Sequence, residues 1–305
     1  MASYRIITEP VQAARYNAAL KNKKLRRRRD LGCLIFNLFA CVMIFATFFL
    51  ALRFLPGRVD FIAMGIDRPP EGTMVSRTDT IVLVSIDPGR SYIGMLSVPR
   101  DLWVPLPEGG ENRINTAHFF AEAAQTGNGP AAVQQLIKQD FGADFPYYIR
   151  FRFDSVEKIV DAMGGVTIVL EEPTAIYPAG ENHLDGVQAL AFVRDRKNAD
   201  DFFRMQHGQI FIRAVIKQMF KLSSLPHFPS ILSAIFSSVD TNIPIYRYPD
   251  LAFTLLRIGV DNIDSRTLTR EMVSPYTTDE GAMVLLPRWE VILPVIYEMF
   301  PQIQE

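Results

Sequence analysis

The chain has 305 residues, of which 49% are hydrophobic and 21% charged. This composition excludes a globally disordered chain and is sufficient for one or two globular domains with a core. The net charge of −1 hides two opposite parts, because residues 1–30 carry nine Lys or Arg against two acids and the remainder is therefore acidic.

The first predicted element is a membrane span over residues 31–52. These 22 positions contain no charged residue, and about 20 apolar residues are needed to cross the hydrocarbon layer. The basic cluster directly before the span is typical of the cytoplasmic side. We therefore predict a cytoplasmic basic tail at 1–30, one transmembrane helix at 31–52, a linker at 53–59 and an extracytoplasmic domain at 60–305.

Two other interpretations of the N-terminal region are weaker. A cleaved signal peptide has a shorter apolar run with small residues at its cleavage site, whereas residues 48–53 read Phe-Phe-Leu-Ala-Leu-Arg. A basic run can also bind nucleic acid, but its position against the span already explains it. We predict a single-pass cell-membrane protein with no nucleic-acid partner.

The cysteine positions exclude several kinds of site in the outer domain. Cys33 and Cys41 both lie within the predicted span, so residues 53–305 contain no cysteine. That domain therefore has no disulfide, no metal–thiolate site and no cysteine nucleophile.

Three apolar runs at the start of the outer domain predict strands at 60–66, 80–86 and 92–98. Asp87-Pro88-Gly89 between the second and third runs predicts a turn that makes them an antiparallel hairpin. Pro88 would fix φ at the second position of the turn, and Gly89 would accept positive φ at the third.

Helical periodicity follows. Val133, Leu136, Ile137 and Phe141 share one face of a helix that begins near Pro130. Asp154 and Glu157 form a capping-box pattern at the start of a second helix, which carries Val156, Ile159, Val160 and Met163 on one face.

The remaining elements complete the predicted fold. Gly164-Gly165 ends the second helix, a strand resumes at 166–170, and a third helix runs from about 201 to 220. Residues 223–305 are rich in proline and predict helices and one late strand that cover one side. Strands alternating with helices favour an α/β fold, here a three-layer α-β-α domain with a central mixed β-sheet.

Charged residues concentrate at the ends of the predicted strands, where ligands gather in α/β sheets. Those positions are Asp67, Arg77, Asp79, Arg100, Asp101 and Arg113, followed by a dense cluster over residues 194–204. Arginines bind phosphate oxygens bidentately, and Mg²⁺ bridges carboxylates and phosphates. The pattern therefore favours a pyrophosphate site with a divalent cation, suited to phosphoryl transfer.

Other chemistries lack their usual signals. The sequence contains no Walker loop, no Gly-x-Ser-x-Gly elbow and no histidine pair at metal spacing. Structural interpretations of single residues also stay open. Asp201 would also suit the cap of the helix that follows, Asp101 a turn, and Arg194 and Arg196 a solvated face. The four histidines at 118, 183, 207 and 227 are scattered and favour structural or exposed positions.

Taken in order, the motifs closely resemble the LytR–CpsA–Psr family over residues 60–220. The matching segments are Met64-Gly65-Ile66-Asp67, Arg77-Thr78-Asp79-Thr80-Ile81, Leu96-Ser97-Val98-Pro99-Arg100-Asp101, Arg113-Ile114-Asn115, Asp161-Ala162-Met163-Gly164-Gly165-Val166 and residues 184–196. Members of that family also usually combine a basic tail, a single span and an outer domain.

The resemblance implies a phosphotransferase that moves a glycopolymer from an undecaprenyl-pyrophosphate carrier onto peptidoglycan. It implies Mg²⁺ at Asp67 and Asp79, and pyrophosphate binding by Arg77, Arg100, Arg113, Arg194, Arg196 and Arg204. Catalysis would involve Arg100, Arg194, Arg196, Asp201 and Arg204. Asp201 would either act on the acceptor hydroxyl or brace an arginine, and the prenyl tail would lie in an apolar pocket.

One departure from the family pattern leaves alternatives open. The family commonly continues with Arg-Gln-Gln where this chain has His207-Gly208-Gln209, so a fixed cation becomes a titratable side chain. Gln206 or Gln209 would be the available substitutes for the missing amide. The alternatives are a non-catalytic membrane-tethered binder or regulator of polyprenyl phosphate, and a polyprenyl pyrophosphatase that uses water as acceptor.

Overall fold

The computed structural model describes residues 20, 21, 23, 32–48, 57–174, 176–195 and 201–301, apart from the side chains of residues 222, 223 and 225. The chain divides into two compact units, Met1–Pro56 and Gly57–Glu305. In the first unit, residues 32–48 are helical (α1). Within the described ranges, no helix combines the length and the apolar character that a membrane crossing requires. The predicted span at 31–52 lies partly outside those ranges.

The second unit contains twelve described strands and eight described helices. The strands are β1 Val59–Ile66, β2 Thr78–Asp87, β3 Tyr92–Val98, β4 Trp103–Pro105, β5 Glu111–Arg113, β6 Tyr147–Arg152, β7 Val166–Leu170, β8 Gly180–Leu184, β9 Val239–Thr241, β10 Asp264–Thr267, β11 Val273–Thr277 and β12 Met283–Pro287. The helices are α2 Asn115–Ala124, α3 Gly129–Phe141, α4 Asp154–Ala162, α5 Gly186–Arg194, α6 Asp201–Met219, α7 Phe228–Ser238, α8 Tyr248–Ile258 and α9 Trp289–Met299.

A six-stranded mixed sheet, in the order β10-β3-β2-β1-β6-β9, forms the centre of this unit. β2 is antiparallel to both β1 and β3. β6 runs parallel to β1, β10 runs parallel to β3, and β9 is antiparallel to β6. As a result β1, β3, β6 and β10 all end at the same edge of the sheet, where β2 begins.

Helices pack on both faces of this sheet. On one face, Ile62, Met64 and Leu83 lie in a buried cluster with residues of α2, α3 and α9. On the other face, Phe61 and Val84 lie in a cluster with residues of α6 and α8. Alternate residues of each strand therefore enter opposite cores, which gives the α/β fold with a central mixed sheet that the sequence predicted.

A third buried cluster joins α4, α5, β7, β8, α6 and α7. β7 and β8 pair with each other and not with the central sheet. The predicted strand at 166–170 is therefore present, but it belongs to a separate hairpin beside the three layers.

The predicted hairpin of β2 and β3 is confirmed, whereas the predicted turn geometry is wrong. The loop is four residues long, Pro88–Ser91, with the Ser91 amide 3.4 Å from the Pro88 carbonyl. Positive φ falls on Ser91, at 51°, and not on Gly89. The Asp87 carboxylate accepts a hydrogen bond from the Arg90 amide at 3.0 Å. This bond stabilises a right-handed turn through Gly89, so the positive φ that completes the loop falls on Ser91.

The helices predicted near Pro130, near Asp154 and over 201–220 are all present, but the predicted capping box at Asp154 is wrong. Phe153 occupies the cap position, and no side chain caps the helix. The Asp154 carboxylate instead accepts two hydrogen bonds from the Arg152 guanidinium, at 3.1 and 2.7 Å. That bidentate pair competes with capping for the same oxygens.

The prediction for residues 223–305 was also wrong in one respect. This region does not only cover one side of the domain, because it also supplies β9 and β10, the two outermost strands of the central sheet. It also contributes α9, whose Ile292 and Ile296 are fully buried in the core with α3.

Candidate functional site

The candidate site lies at the edge of the sheet where β1 and β3 end and β2 begins. Asp67 follows the last residue of β1, Arg100 comes two residues after β3, and Asp79 is the second residue of β2. The alternating directions of these strands bring residues that are distant in sequence to one place. The fold thus explains why polar residues at three different strand termini meet.

A β-bulge sets the position of Asp79. Gly65 pairs with Thr80, and Ile66 pairs with Thr78, so Asp79 is an extra residue between two pairs. Bulges re-aim side chains and occur beside functional sites. Asp67 lies one residue beyond the last pair, so the two carboxylates occupy the same corner of the sheet.

Arg100 is the centre of the ion pairs at this edge. Its Nη1 lies 2.7 Å from Oδ1 of Asp79. Its Nε lies 3.4 Å from Oδ2 of Asp101 and 3.2 Å from Oδ1 of Asp201. One guanidinium therefore contacts carboxylates from β2, from the loop after β3 and from the start of α6.

Three further arginines extend the network. Arg194, the last residue of α5, donates from Nη2 to Asp67, and Arg204 donates to Asp201 one helical turn before it. Arg113 lies 3.2 Å from Asp101 and donates to the Met283 carbonyl at 2.9 Å. The side chains of the eight residues in these ion pairs are between 14% and 28% exposed, so their charges are only partly screened by solvent.

Two of the predicted site residues are not part of this network. Arg77 is exposed and has no ion pair within the described part of the chain, although it precedes Thr78 at the same edge. Arg196 lies outside the described residues. The remaining predicted residues, Asp67, Asp79, Arg100, Arg113, Arg194, Asp201 and Arg204, are brought together; their individual roles stay predictions.

The electrostatics of this edge favour an anion. Six arginines (68, 77, 100, 113, 194 and 204) stand against four aspartates (67, 79, 101 and 201) among the described residues. Burial raises the pKa of the Asp201 carboxyl, although Arg204 and Arg100 act in the opposite direction. Oδ2 of Asp201 is buried and has no side-chain hydrogen-bond partner in the described structure.

The donor chemistry of Asp67 and Asp79 fits Mg²⁺ only together with a phosphorylated ligand. No cluster of three or more acidic, histidine or cysteine side chains able to hold a metal occurs among the described residues. Mg²⁺ is commonly bound by one or two carboxylates, with water and substrate phosphate completing its shell. Two carboxylates at one corner of the sheet match that pattern, and Arg100 and Arg194 would bind the same phosphates.

The departure at His207-Gly208-Gln209 changes the local chemistry. His207 stacks on Phe192, with the ring centroids 4.6 Å apart, and burial lowers its pKa although Asp195 opposes this effect. Gln209 is buried and bonds to Ser97 at 2.9 Å and to Ser265 at 2.5 Å. Gln209 therefore holds α6 on the sheet, and both atoms of its amide are used there rather than in place of the family's missing amide.

Sequence reasoning missed a buried polar network beneath the segment that carries Asp67 and Arg77. The Ser76 hydroxyl donates to the Asp67 carbonyl at 2.8 Å, and His118 Nδ1 lies 2.8 Å from the Ser76 carbonyl. Arg150 lies 3.1 Å from His118 Nε2 and 2.8 Å from Glu122.

On its other side, Arg150 pairs with Asp240 of β9 at 2.6 Å. The Glu122 carboxylate also accepts the amides of Gly127 and Gly129. The four-residue spacing of His118 and Glu122 was the available signal, since it places both on one face of a helix, but no helix was predicted there.

Comparison with known proteins agrees with this fold. The chain is 31% identical over 191 residues to the polyisoprenyl-teichoic acid–peptidoglycan teichoic acid transferase TagU of Oceanobacillus iheyensis, covering 61% of this chain and 59% of that protein. It is 26% identical over 196 residues to the regulatory protein MsrR of Staphylococcus aureus, covering 62% and 57%. The alignments thus span less than two thirds of either relative.

Solved structures share the fold over most of the chain. Bacillus subtilis TagV superimposes with a TM-score of 0.65 at 23% identity, over 81% of this chain and 98% of TagV. TagT bound to LIIa-WTA superimposes with a TM-score of 0.60 at 20% identity, over 80% and 91%.

The LytR–CpsA–Psr family model matches residues 56–287, about three quarters of the chain, including both strands of the bulged pair and every described residue of the arginine–aspartate network. This protein belongs to the LytR–CpsA–Psr family.

Proposed function

We propose that this protein is a phosphotransferase that moves a glycopolymer from an undecaprenyl-pyrophosphate carrier onto peptidoglycan. The observation that carries the proposal is the convergence of Arg100, Arg194 and Arg204 with Asp67 and Asp79 at one edge of the sheet. Membership of the family supports it, as does a relative named for teichoic acid transfer to peptidoglycan.

The proposed reaction exchanges a phosphoanhydride bond for a phosphate ester. The acceptor hydroxyl oxygen forms a bond to the phosphorus that carries the glycopolymer, while the bond from that phosphorus to the bridging oxygen breaks. Undecaprenyl phosphate leaves with the bridging oxygen and its electron pair. The hydroxyl proton would be transferred to a carboxylate, and Asp201 suits this role because burial raises its pKa and so favours the protonated form.

The arginines would bind and orient the diphosphate. Arg100, Arg194 and Arg204 would exchange part of their contact with aspartates for phosphate oxygens, and Arg77, Arg113 and Arg196 would bind at the periphery. Positive groups fixed around the phosphorus stabilise charge that develops in the transition state, and this contribution is usually the largest one in such enzymes. The sheet edge holds these arginines in place before the substrate binds.

Asp67 and Asp79 would hold Mg²⁺ together with the diphosphate. When bound, the ion would neutralise charge on the leaving phosphate. Since both carboxylates already contact arginines, the same side chains would orient the metal and the guanidinium groups.

The proposed location is the cell membrane, with residues 31–52 as the span and the domain on the outer side. A carrier embedded in the bilayer and an acceptor in the wall are then both within reach of one tethered enzyme. The apolar tail of the carrier would leave the diphosphate between α6 and the β2–β3 pair, where Ile81, Val98 and Met205 line a cavity of about 20 Å³ that must widen to admit the chain.

The decisive experiment measures release of polyprenyl phosphate by the full-length protein in detergent, with a synthetic polyprenyl-pyrophosphate-linked glycan and Mg²⁺. We expect Arg194→Ala and Asp79→Ala to lower the rate by about 100-fold or more, and chelation of Mg²⁺ to abolish it. Arg90→Ala is the matched control, because Arg90 lies in the β2–β3 loop at the opposite edge of the same sheet. Unchanged turnover in both site variants would contradict the proposal.

A non-catalytic binder is the second candidate, and the neutral, stacked His207 favours it because a fixed cation of the family is missing. Tight binding of polyprenyl phosphate without turnover would identify that function. A pyrophosphatase would release phosphate from the carrier but form no conjugate when peptidoglycan is supplied.

A further inference from the structure

A large cavity lies on the other side of α6 from the diphosphate site. Its volume is about 740 Å³, within the range of small-molecule sites. It is bounded by α6, by the segment that follows β7 and by the residues before β10. No step of the proposed reaction uses this cavity.

The two cavities share the first turns of α6 as a common wall. Asp201, Arg204, Met205 and Gly208 line the small cavity on the sheet side. Phe203, Gln206, His207, Ile210, Arg213 and Lys217 line the large one. Because successive helical residues are rotated by about 100°, these two sets point in opposite directions, and the N-terminal turn of α6 faces both cavities.

α5 also connects the two sites. Its last residue, Arg194, contacts Asp67 in the diphosphate site, and the next residue, Asp195, lines the large cavity. A ligand in the large cavity therefore lies beside the arginine–aspartate network.

The charges of the large cavity disfavour a second diphosphate, because acids outnumber bases in its lining. Its charged residues are four acids and two bases, namely Glu171, Glu172, Asp195 and Asp261 against Arg213 and Lys217. Lys217 and Asp261 pair with each other at 3.1 Å, and Glu171 and Glu172 still outnumber Arg213 in the lining. An uncharged polyhydroxylated ligand fits such walls, since carboxylates accept from hydroxyls, while Arg213 and Gln206 donate to them.

An aromatic side chain adds to this chemistry. Phe203 is 47% exposed at the cavity wall. The apolar C–H face of a sugar ring packs against such a ring, while its hydroxyls reach the polar side chains. The combination indicates a saccharide site.

We propose that this cavity binds the glycan acceptor of the transfer reaction, an inference that rests on the proposed function. In phosphoryl transfer the attacking and leaving oxygens lie roughly in line through phosphorus. The acceptor hydroxyl must therefore reach the phosphorus on the side away from the departing lipid phosphate. Asp201, the proposed proton acceptor, is the first residue of α6, so a glycan held in the large cavity would extend its reacting hydroxyl past the N-terminal end of α6 to that carboxylate.

The test separates transfer from hydrolysis in the full-length protein in detergent, with a synthetic polyprenyl-pyrophosphate-linked glycan as donor and soluble peptidoglycan glycan fragments as acceptor. Arg213 and Glu172 line the cavity and form no ion pair within the described residues. We expect Arg213→Ala and Glu172→Ala each to raise the acceptor KM at least 10-fold and to leave the donor KM within twofold. Lys138→Ala is the control, because Lys138 is an exposed residue of α3 whose ion pair in the described part of the chain is with Asp144.

Each outcome is decisive. A rise in donor KM would overturn the proposal by assigning the cavity to the sugars of the donor, and unchanged kinetics in both variants would overturn it altogether. If the unmutated protein neither hydrolyses the donor nor forms a conjugate, the proposed function fails first, and acceptor binding to the cavity is then measured directly by titration of the glycan fragment. Absence of binding to unmutated protein in that titration would also overturn the inference.

Discussion

His118 is neutral in the folded domain, because both of its ring nitrogens have fixed roles. Nδ1 faces the Ser76 carbonyl, which only accepts, so Nδ1 carries the proton. Nε2 faces the Arg150 guanidinium, which only donates, so Nε2 accepts. His118 is fully buried, and it thereby connects Arg150 to the segment that carries Asp67.

We expect the domain to lose stability as the pH falls below neutrality, with His118 contributing to the loss. Burial lowers the pKa of His118, with Arg150 acting in the same direction and the Ser76 bond, Glu122 and Asp240 opposing it. Below about pH 6.5 the unfolded chain binds a proton at this residue, whereas the folded protein does not until a lower pH. Acidification therefore stabilises the unfolded state first, and the free energy of unfolding falls.

Urea unfolding of the full-length protein between pH 7.5 and 5.5 measures this effect. His118→Asn keeps a donor near the Ser76 carbonyl but does not titrate, so its free energy of unfolding should fall less steeply with acidification than that of the unmutated protein. His207 remains in both proteins, so its contribution cancels. Equal slopes would show that His118 is not held neutral.

At the residue scale, the sequence predicted the site better than the network that supports it. Asp67, Asp79 and Arg100 stand at strand termini in the sequence, where a ligand site is expected in an α/β fold. The bulge at Asp79 was not predictable, because it depends on the register of β1 against β2. Arg150 gave no signal either, since its partners Glu122 and Asp240 come from elements distant in sequence.

At the scale of elements, α5 carries Arg194 and packs directly on α4. A Cβ at Gly186, the first residue of α5, would meet the Glu157 carbonyl of α4 at 2.4 Å and the Asp161 carboxylate at 2.7 Å. The Gly186 amide donates to that carboxylate at 2.8 Å. The close approach of the two helices therefore requires glycine.

Gly186→Ala should lower the free energy of unfolding by about 1 to 3 kcal/mol, since the new methyl group must push backbone apart. The transfer rate should also fall, because α5 would move with Arg194. Gly208→Ala is the matched control for stability. A Cβ there meets nothing within 4 Å, so this helical position should gain roughly 0.5 to 1 kcal/mol. Denaturant unfolding measures both, and an equal effect in the two variants would contradict the packing argument.

Long periodic elements were predictable from the sequence, and short ones were not. Val133, Leu136 and Phe141 gave α3 a clear apolar face, and all three are fully buried. By contrast β9 and β10 are three and four residues long, and β10 reads Asp-Ser-Arg-Thr. Such segments become strands only because a neighbouring strand offers backbone hydrogen bonds.

The start of α5 carried a signal that was not used. Asp185 accepts the Gln188 amide at 2.8 Å, and the Gln188 side chain accepts the Asp185 amide at 3.1 Å. This is a capping box, and the spacing Asp-x-x-Gln is visible in the sequence. The similar spacing at Asp154 did not form one, because Arg152 binds that carboxylate.

At the scale of the whole molecule, the proposed anchor predicts on which side of the membrane the chain ends. A fusion of alkaline phosphatase after Glu305 should be active in cells, because this enzyme matures only outside the cytoplasm. The same fusion without residues 31–52 should be inactive, because the basic tail alone does not direct export. An inactive full-length fusion at normal abundance would contradict the proposed location.

The placement of β9 and β10 governs when the domain is able to fold. Asp264 pairs with Gly94, and Thr241 pairs with Ile149. Both outermost strands of the sheet therefore come from late parts of the chain. During the proposed export, the earlier strands would emerge with unpaired backbone on two sides, a template for aggregation. Maturation of this protein should accordingly depend on holding chaperones outside the membrane until residue 267 has been delivered.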